Sequence, residues 1–356
     1  MKKRSRKILK VILTVVIVIV AVFAALLIFL TATEYKPDAV ETLSVPEGTR
    51  TAAPGEDLTL VTMNTGYAGL DKSTDFFMDG GTGVNPESRE QVEGNLAGIA
   101  DTLRSLPADI YYLQETDVNS GRTYYIDEAA YYEDALGMSG AFAYNYKCSF
   151  VPYPVPMIGH VESGILTLSD LKTDEAQRVA LPVSFRWPIS TCNLKRCLLV
   201  EYLPLEGTDA KLVLVNLHLE AYDEGEGKIA QTKMLADLLR SEYEKGNYVI
   251  AGGDFNQTFP GVKEYPVVDT ENWAPGVIGS DVLPEGFSFA VDDSLPTCRL
   301  LSAPYTRSYE TSQVYVIDGF IVSPNVQVKT VETIRTDFEN SDHQPVKLEV
   351  TLDPTV

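Results

Sequence analysis

Five short apolar runs each end in an acid, an amide or an imidazole, and this recurrence limits the architectures open to the chain. Tyr248–Asn256 reads YVIAGGDFN: a run of strand length and composition, two glycines that allow a sharp turn, then Asp254 and Asn256. Leu58–Asn64 (LTLVTMN) ends in Asn64, Asp109–Glu115 (DIYYLQE) in Gln114 and Glu115, and Lys211–His218 (KLVLVNLH) in Asn216 and His218. Val314–Asp318 (VYVID) ends in Asp318, and Ser341-Asp342-His343-Gln344 precedes a last strand-like run, Pro345–Leu352. Any one of these is satisfied by a polar turn that closes a strand. Together they predict side chains from several strand ends lining one cleft, as ligand sites in α/β folds do.

The set Asn64, Gln114-Glu115, Asn216-Leu217-His218, Gly253-Asp254-Phe255-Asn256, Ile317-Asp318 and Ser341-Asp342-His343 resembles the motifs of the endonuclease/exonuclease/phosphatase superfamily. That group includes deoxyribonucleases, abasic-site endonucleases, sphingomyelinases and inositol-polyphosphate phosphatases. The order matches from Asn64 to His343. The resemblance implies an α/β fold, a two-sheet α/β/β/α sandwich of the deoxyribonuclease type, with the cleft along one edge of both sheets. It also implies a phosphoric ester hydrolase that uses Mg2+ or Mn2+.

The resemblance carries roles to individual positions. Glu115, with Asn64 and Asp342, is expected to hold the metal through hard oxygen donors. Asp254, oriented by Asn256, is expected to deprotonate water. His218 and His343 would hydrogen-bond the phosphate, with Asp318 fixing the His343 tautomer. Glu162 is the expected partner of His218. Arg122, Asn216, Lys195 and Arg196 are the expected substrate contacts; an arginine fork suits phosphate oxygens. A solvated surface turn is the competing reading for Arg122, Lys195 and Arg196.

The N-terminus adds a second constraint. Residues 1–10 hold six lysines and arginines and no acid, and Val11–Leu30 is twenty residues without a charge. Twenty helical residues span about 30 Å, the thickness of a bilayer core. The run exceeds the apolar part of a usual signal peptide, so an uncleaved anchor is expected, with the basic end in the cytoplasm and the rest outside the cell. The expected organisation is a cytoplasmic tail over 1–10, a transmembrane anchor over 11–31, a Pro- and Gly-bearing linker over 32–56 and the enzyme domain over 57–356.

Within that domain, Glu87–Leu106 and Gly225–Lys245 carry apolar residues at helical spacing. Asp117–Tyr146 is a tyrosine-rich connection, and Gln257–Thr311 is expected to wall or cover the cleft. The spacing permits a Cys192–Cys197 bridge across a turn, with connectivity among Cys148, Cys192, Cys197 and Cys298 left open. Three histidines in total argue against structural zinc.

The chain's net charge is −21, and subtracting the six N-terminal cations leaves −27 on the outer part. Such a field opposes broad binding to a polyanion. The expected substrate is therefore a phosphoester on a lipid head group or sugar, with nucleic acid the alternative; no obligate protein partner is expected. A non-catalytic binding protein that keeps the fold is the competing class.

Overall fold

The computed structural model describes residues 2–45, 47–223 and 225–354. In chain order the elements are α1 (Lys2–Ala32), β1 (Val40–Thr42), β2 (Asp57–Asn64), α2 (Arg89–Arg104), β3 (Ile110–Asp117), α3 (Glu128–Leu136), β4 (Ser139–Val151) and β5 (Gly159–Ser169). There follow β6 (Glu175–Ala180), β7 (Cys197–Pro204), β8 (Lys211–His218), α4 (Glu226–Glu244) and β9 (Tyr248–Asp254). The remainder comprises β10 (Gln257–Thr258), β11 (Gly276–Val277), β12 (Ser288–Ala290), β13 (Cys298–Arg299), β14 (Val314–Tyr315), β15 (Asp318–Val322), β16 (Val326–Thr333) and β17 (Val346–Leu352).

Two sheets form. One has the order β1-β6-β7-β8-β9-β15-β12, the other β16-β17-β2-β3-β5-β4. Each holds one parallel pair, β8 with β9 and β2 with β3, and the helices α4 and α2 make the crossovers. The other pairings within them are antiparallel. Side chains alternate along a strand, and here both faces are apolar. Leu212 and Leu214 of β8 meet Leu58, Leu60, Ile110 and Tyr112 of the opposite sheet. Val213, Val215 and Leu217 pack under Leu235 and Leu239 of α4. Val61, Met63, Tyr111 and Leu113 pack under Val92, Leu96, Ile99 and Leu103 of α2. This is the expected α/β/β/α sandwich, preceded by one apolar helix. Burial on both faces explains why these strands read as continuous apolar runs.

Both expected crossover helices are present, shorter by a residue or two at each end. Ser88 caps α2 by accepting from Gln91 N, and Gly246 follows α4 with φ +86. The tyrosine-rich connection contains α3, capped by Asp127, and runs into β4. The segment expected as a linker lies along the domain: Val40–Thr42 pairs with β6, Arg50 bridges Leu171, and Ala52 bridges Leu205. All four cysteines are free and buried. Cys192 packs with Cys148 and Val151, whereas Cys197 opens β7 and packs in a separate cluster with Leu199, so the two do not bridge.

Candidate active site

The carboxyl ends of both parallel pairs fall at one end of the sandwich. Asn64 is the last residue of β2, His218 of β8 and Asp254 of β9. His218 and Asp318 sit in register with Asp254 from either side. Glu115 lies in a bulge of β3, where pairing with β5 slips between Leu113 and Thr116, and its φ is +54. Bulges re-aim side chains in this way. Gly253 has φ +147, and a Cβ there would lie 1.9 Å from the Leu217 carbonyl oxygen. Only glycine lets β9 approach β8 this closely just before Asp254.

Hydrogen bonds fix the acidic centre. Asn64 Nδ2 donates to Asp254 Oδ2 at 3.0 Å and to Glu115 Oε1 at 3.1 Å, while its Oδ1 accepts from Gly66 N at 3.0 Å. Asn256 N donates to Asp254 Oδ1 at 2.8 Å, and Asn256 Nδ2 is anchored on the Leu219 carbonyl at 2.9 Å. His218 Nε2 stands 3.4 Å from Asp254 Oδ2 and 3.9 Å from Glu115 Oε1. His343 Nδ1 is 2.8 Å from Asp318 Oδ2, and its Nε2 is 3.8 Å from Asp254 Oδ2.

Burial separates the titrations of these groups. It pushes Asp254 up to about 7, although His343 pulls the other way. Burial, then Arg196 and His343, hold His218 well below its ordinary value. Burial would also lower His343, but Asp318, Cys298 and Asp254 raise it well above 6.5. The site therefore places a neutral and a cationic imidazole on either side of a carboxyl poised near neutrality, an arrangement suited to proton transfer.

A second group of carboxyls faces the same cleft. Asp342 is pushed up to about 7 by burial, opposed by His343, with Glu115 and Asp79 adding repulsion. Asp79 is raised by burial, and accepts from Tyr222 Oη at 3.0 Å and Leu301 N at 3.3 Å. Carboxyls crowded in a cleft, with Asp342 and Asp79 buried and Glu115 part-exposed, are the condition a divalent cation relieves, and the donors are hard oxygens that suit Mg2+ or Mn2+. Among the described residues, two groups of three bring their donor atoms within 4.8 Å of one another: Cys298 with Asp342 and His343, and Asp254 with Asp318 and His343. Neither includes Glu115. His343 Nδ1 is engaged by Asp318, and the carboxyl oxygens of Glu115, Asp342 and Asp79 line the same cleft.

The cleft brings together Glu115, Arg122, Arg196, His218, Asp254, Asn256, Asp342 and His343, with Asn64 and Asp318 directly beneath. Five sequence expectations require correction or refinement. Glu162 is not beside His218; it accepts from Tyr144 Oη at 3.3 Å and lies 3.5 Å from Lys147 Nζ and 3.7 Å from His160 Nε2. Asn216 is not at the cleft. Its amide donates to the Leu166 carbonyl at 2.9 Å and accepts from Gln114 Nε2 at 2.8 Å, tying the two sheets together. Lys195 points away from the cleft, bound to Glu34 at 2.9 Å and the Ser190 carbonyl at 2.7 Å. Arg122 borders the cleft but forks onto Asp117, two bonds of 2.9 Å, with its guanidinium 3.6 Å over the Tyr67 ring. Arg196 is buried, donating to the His218 carbonyl at 3.2 Å beside Glu220.

Sequence reasoning missed Asp79, Tyr222, Trp273 and Arg299, all lining the cleft. Arg299 donates to the carbonyls of Asp71 and Thr74 at 2.6 and 3.0 Å. These residues lie outside the long strands, where no periodicity marks them; Trp273 and Arg299 fall within Gln257–Thr311, the segment expected to wall the cleft, and the signal nearest Asp79 was the apolar Phe76-Phe77-Met78 immediately before it.

No family model and no curated protein matches the sequence. Solved structures do. An endonuclease/exonuclease/phosphatase protein from Beutenbergia cavernae aligns over 83% of this chain and 72% of its own, at 16% identity and a TM-score of 0.56. A second, from Bacteroides vulgatus, aligns over 84% and 100%, at 15% identity and a TM-score of 0.52. Truncated TDP2 from Caenorhabditis elegans aligns over 84% and 99%, at 15% identity and a TM-score of 0.51. These likenesses are likenesses of fold.

Proposed function

From the endonuclease/exonuclease/phosphatase fold and the convergence at its strand ends, we propose that the chain is a metal-dependent hydrolase of phosphodiester or phosphomonoester bonds. The observation that carries this reading is the Asn64-linked pair of Asp254 and Glu115, with His218 on one side and the His343–Asp318 pair on the other. Asp254 takes the proton of the attacking water; its carboxyl is held near neutrality, where such transfer is efficient. His343, kept cationic by Asp318, and neutral His218 donate hydrogen bonds to the phosphate oxygens as charge builds. Asn64 and Asn256 hold Asp254 in place. Glu115 and Asp342, with Asn64 beside them, would hold Mg2+ or Mn2+, which supplies Lewis-acid polarisation of the phosphoryl group.

The tyrosine, phenylalanine and leucine side chains of the cleft wall and the acidic surface support a phosphoester on a lipid or sugar over duplex DNA. Helix α1 is long and apolar enough to span a membrane over Arg4–Ala32. In this reading it is a single-pass anchor, with the basic end cytoplasmic and the domain outside.

The test is turnover by the full chain in detergent or nanodiscs, with Mg2+, with Mn2+ and with EDTA. The panel comprises plasmid and single-stranded DNA, RNA, sphingomyelin, phosphoinositides and a generic phosphodiester. Metal-dependent turnover that disappears in the Asp254→Ala/His343→Ala double variant supports the assignment. An absence of both turnover and metal-induced thermal shift favours a binding protein.

A further inference from the structure

Helix α1 runs into the domain. Leu30 is buried and Leu26 partly buried against Tyr146, Cys148, Val151, Ile158, Val161 and Cys192. Trp187 Nε1 donates to Thr31 Oγ1 at 3.1 Å. Leu26 and Leu30 both belong to the uncharged run Val11–Leu30, with Leu26 about 6 Å short of its end at ~1.5 Å per residue. A bilayer that takes up that run therefore reaches the domain surface packed on Leu26.

Two loops lie at this junction, and both lack carboxylates. Residues 152–158 read PYPVPMI, without any charge, and 181–194 read LPVSFRWPISTCNL, whose only charge is Arg186. On a chain of net charge −21, such stretches stand out. Their apolar side chains project into solvent: Val155 is 88% exposed, Trp187 60%, Ile189 53% and Met157 51%. Single exposed apolar residues are ordinary, but a group of them with an aromatic ring at the end of a membrane-length helix has the composition of an interfacial surface.

The same loops also turn inward. Tyr153, Ile158, Phe185 and Leu194 line the cleft that holds Asp254 and His343. Sheet register gives the direction: the Gly159–Val161 end of β5 is the end at which Thr116 and Asp117, next to Glu115, pair with Gly164 and Ser163. Helix junction, apolar loops and catalytic cleft share one end of the sandwich.

We propose that the 152–158 and 182–189 loops seat the domain on the lipid bilayer that holds α1. The cleft mouth then opens on the leaflet surface, and Tyr153, Ile158, Phe185 and Leu194 receive the apolar part of a membrane-borne phosphoester. This rests on the reading of α1 as an anchor. The bilayer is the occupant because the patch is continuous with α1, a helix already suited to lipid.

The test reads depth by fluorescence. The full chain is reconstituted in phosphatidylcholine vesicles, with or without acyl-brominated phosphatidylcholine, in a Trp187→Phe/Trp273→Phe background that removes both native tryptophans. Single tryptophans are placed as Val155→Trp, as Ile19→Trp within α1, and as Gln327→Trp at the far end of the sandwich. The expected result is that Val155→Trp, like Ile19→Trp, emits at shorter wavelength and loses most of its emission to the brominated lipid, while Gln327→Trp keeps its own. Quenching at Ile19 without quenching at Val155 overturns the docking and leaves the anchor standing. No quenching at either overturns both. A Val155→Trp shielded from aqueous acrylamide yet untouched by brominated lipid means that protein covers the patch, which also overturns it.

Discussion

His343 Nδ1 donates to Asp318 Oδ2 at 2.8 Å, from a loop onto the first residue of the strand that pairs with Asp254. Both residues are buried, and the other carboxylate oxygen, Asp318 Oδ1, has no hydrogen-bond partner among the described residues. Burial opposes a charge on His343; the Asp318 carboxylate outweighs it and keeps the ring cationic. Asp318→Asn preserves shape and removes that charge. Turnover is expected to fall on the order of 10²- to 10³-fold with KM little changed, and the His343 titration, followed by NMR, to drop toward or below about 6.5. An unmoved titration would show that another group holds the proton.

Arg122 contributes to stability as well as to the cleft wall. Its fork neutralises Asp117, which is fully buried and adjoins buried Glu128 through the Asp117 N–Glu128 Oε2 bond of 3.1 Å. Arg122→Ala leaves both carboxyls without their cation and is expected to destabilise the fold by about 3–5 kcal/mol. Arg122→Lys should recover part of this, since an ammonium cannot reproduce the two-pronged contact. Urea denaturation measures both. Lost turnover at unchanged stability would instead make Arg122 a substrate contact.

The legible part of the site is the part attached to apolar strands. Asn64, His218 and Asp254 close strands whose burial on both faces gives continuous apolar runs, so sequence alone could align their ends. Asn216 shares the inward face of β8 with His218 but lies two residues deeper, about 6–7 Å from the strand end. There its amide meets Gln114 and the Leu166 carbonyl instead of the cleft. No local pattern distinguishes those two positions. Lys195 and Glu162 are decided by partners that sequence does not place: Glu34 is 161 positions away, and Glu162 meets Lys147 only through the register of β4 on β5. The pairing of Val40–Thr42 with β6 gave no signal of its own, because an edge strand of three residues is too short to show alternation.

Metal is expected to stabilise the folded chain. Glu115, Asp342 and Asp79 repel one another at the cleft, so a bound Mg2+ or Mn2+ offsets a penalty that the apo state bears. At a hundredfold excess over Kd, the gain is about 2.7 kcal/mol. Thermal unfolding should show a rise in Tm with metal that Glu115→Gln and Asp342→Asn each reduce or abolish. Without metal, both variants should be at least as stable as the parent, because each removes one of the crowded charges. A lower apo stability in both would argue against the repulsion.

Glu162→Gln separates this chain from the expectation carried by resemblance. Glu162 contacts Tyr144, Lys147 and His160, and its carboxyl is partly open to solvent. The substitution should change stability by less than about 1 kcal/mol and leave turnover intact. His218→Ala should reduce turnover on the order of 10²-fold. If Glu162→Gln matched the His218→Ala loss, the two residues would be coupled in solution.

A group remote from the active site adds its own pH dependence. Glu201 of β7 is buried between the sheets near Thr167, and burial pushes its carboxyl up to about 8 from the ordinary 4.5 of a glutamate. Below about 4.5 the residue is protonated whether the chain is folded or not, and its stabilising proton is fully present. Between those values the folded chain retains a proton that the unfolded chain has released, so stability falls as pH rises, and the loss is complete once pH passes about 8. Glu201→Gln is neutral at every pH and keeps the shape. Its advantage over the parent should grow from pH 5 to pH 8 and level off above, at a limit on the order of 4–5 kcal/mol. Urea midpoints of the two proteins across this range measure it. A difference that does not vary with pH would mean that Glu201 is already ionised in the folded protein, compensated by Thr167 and Thr173 more fully than its burial implies.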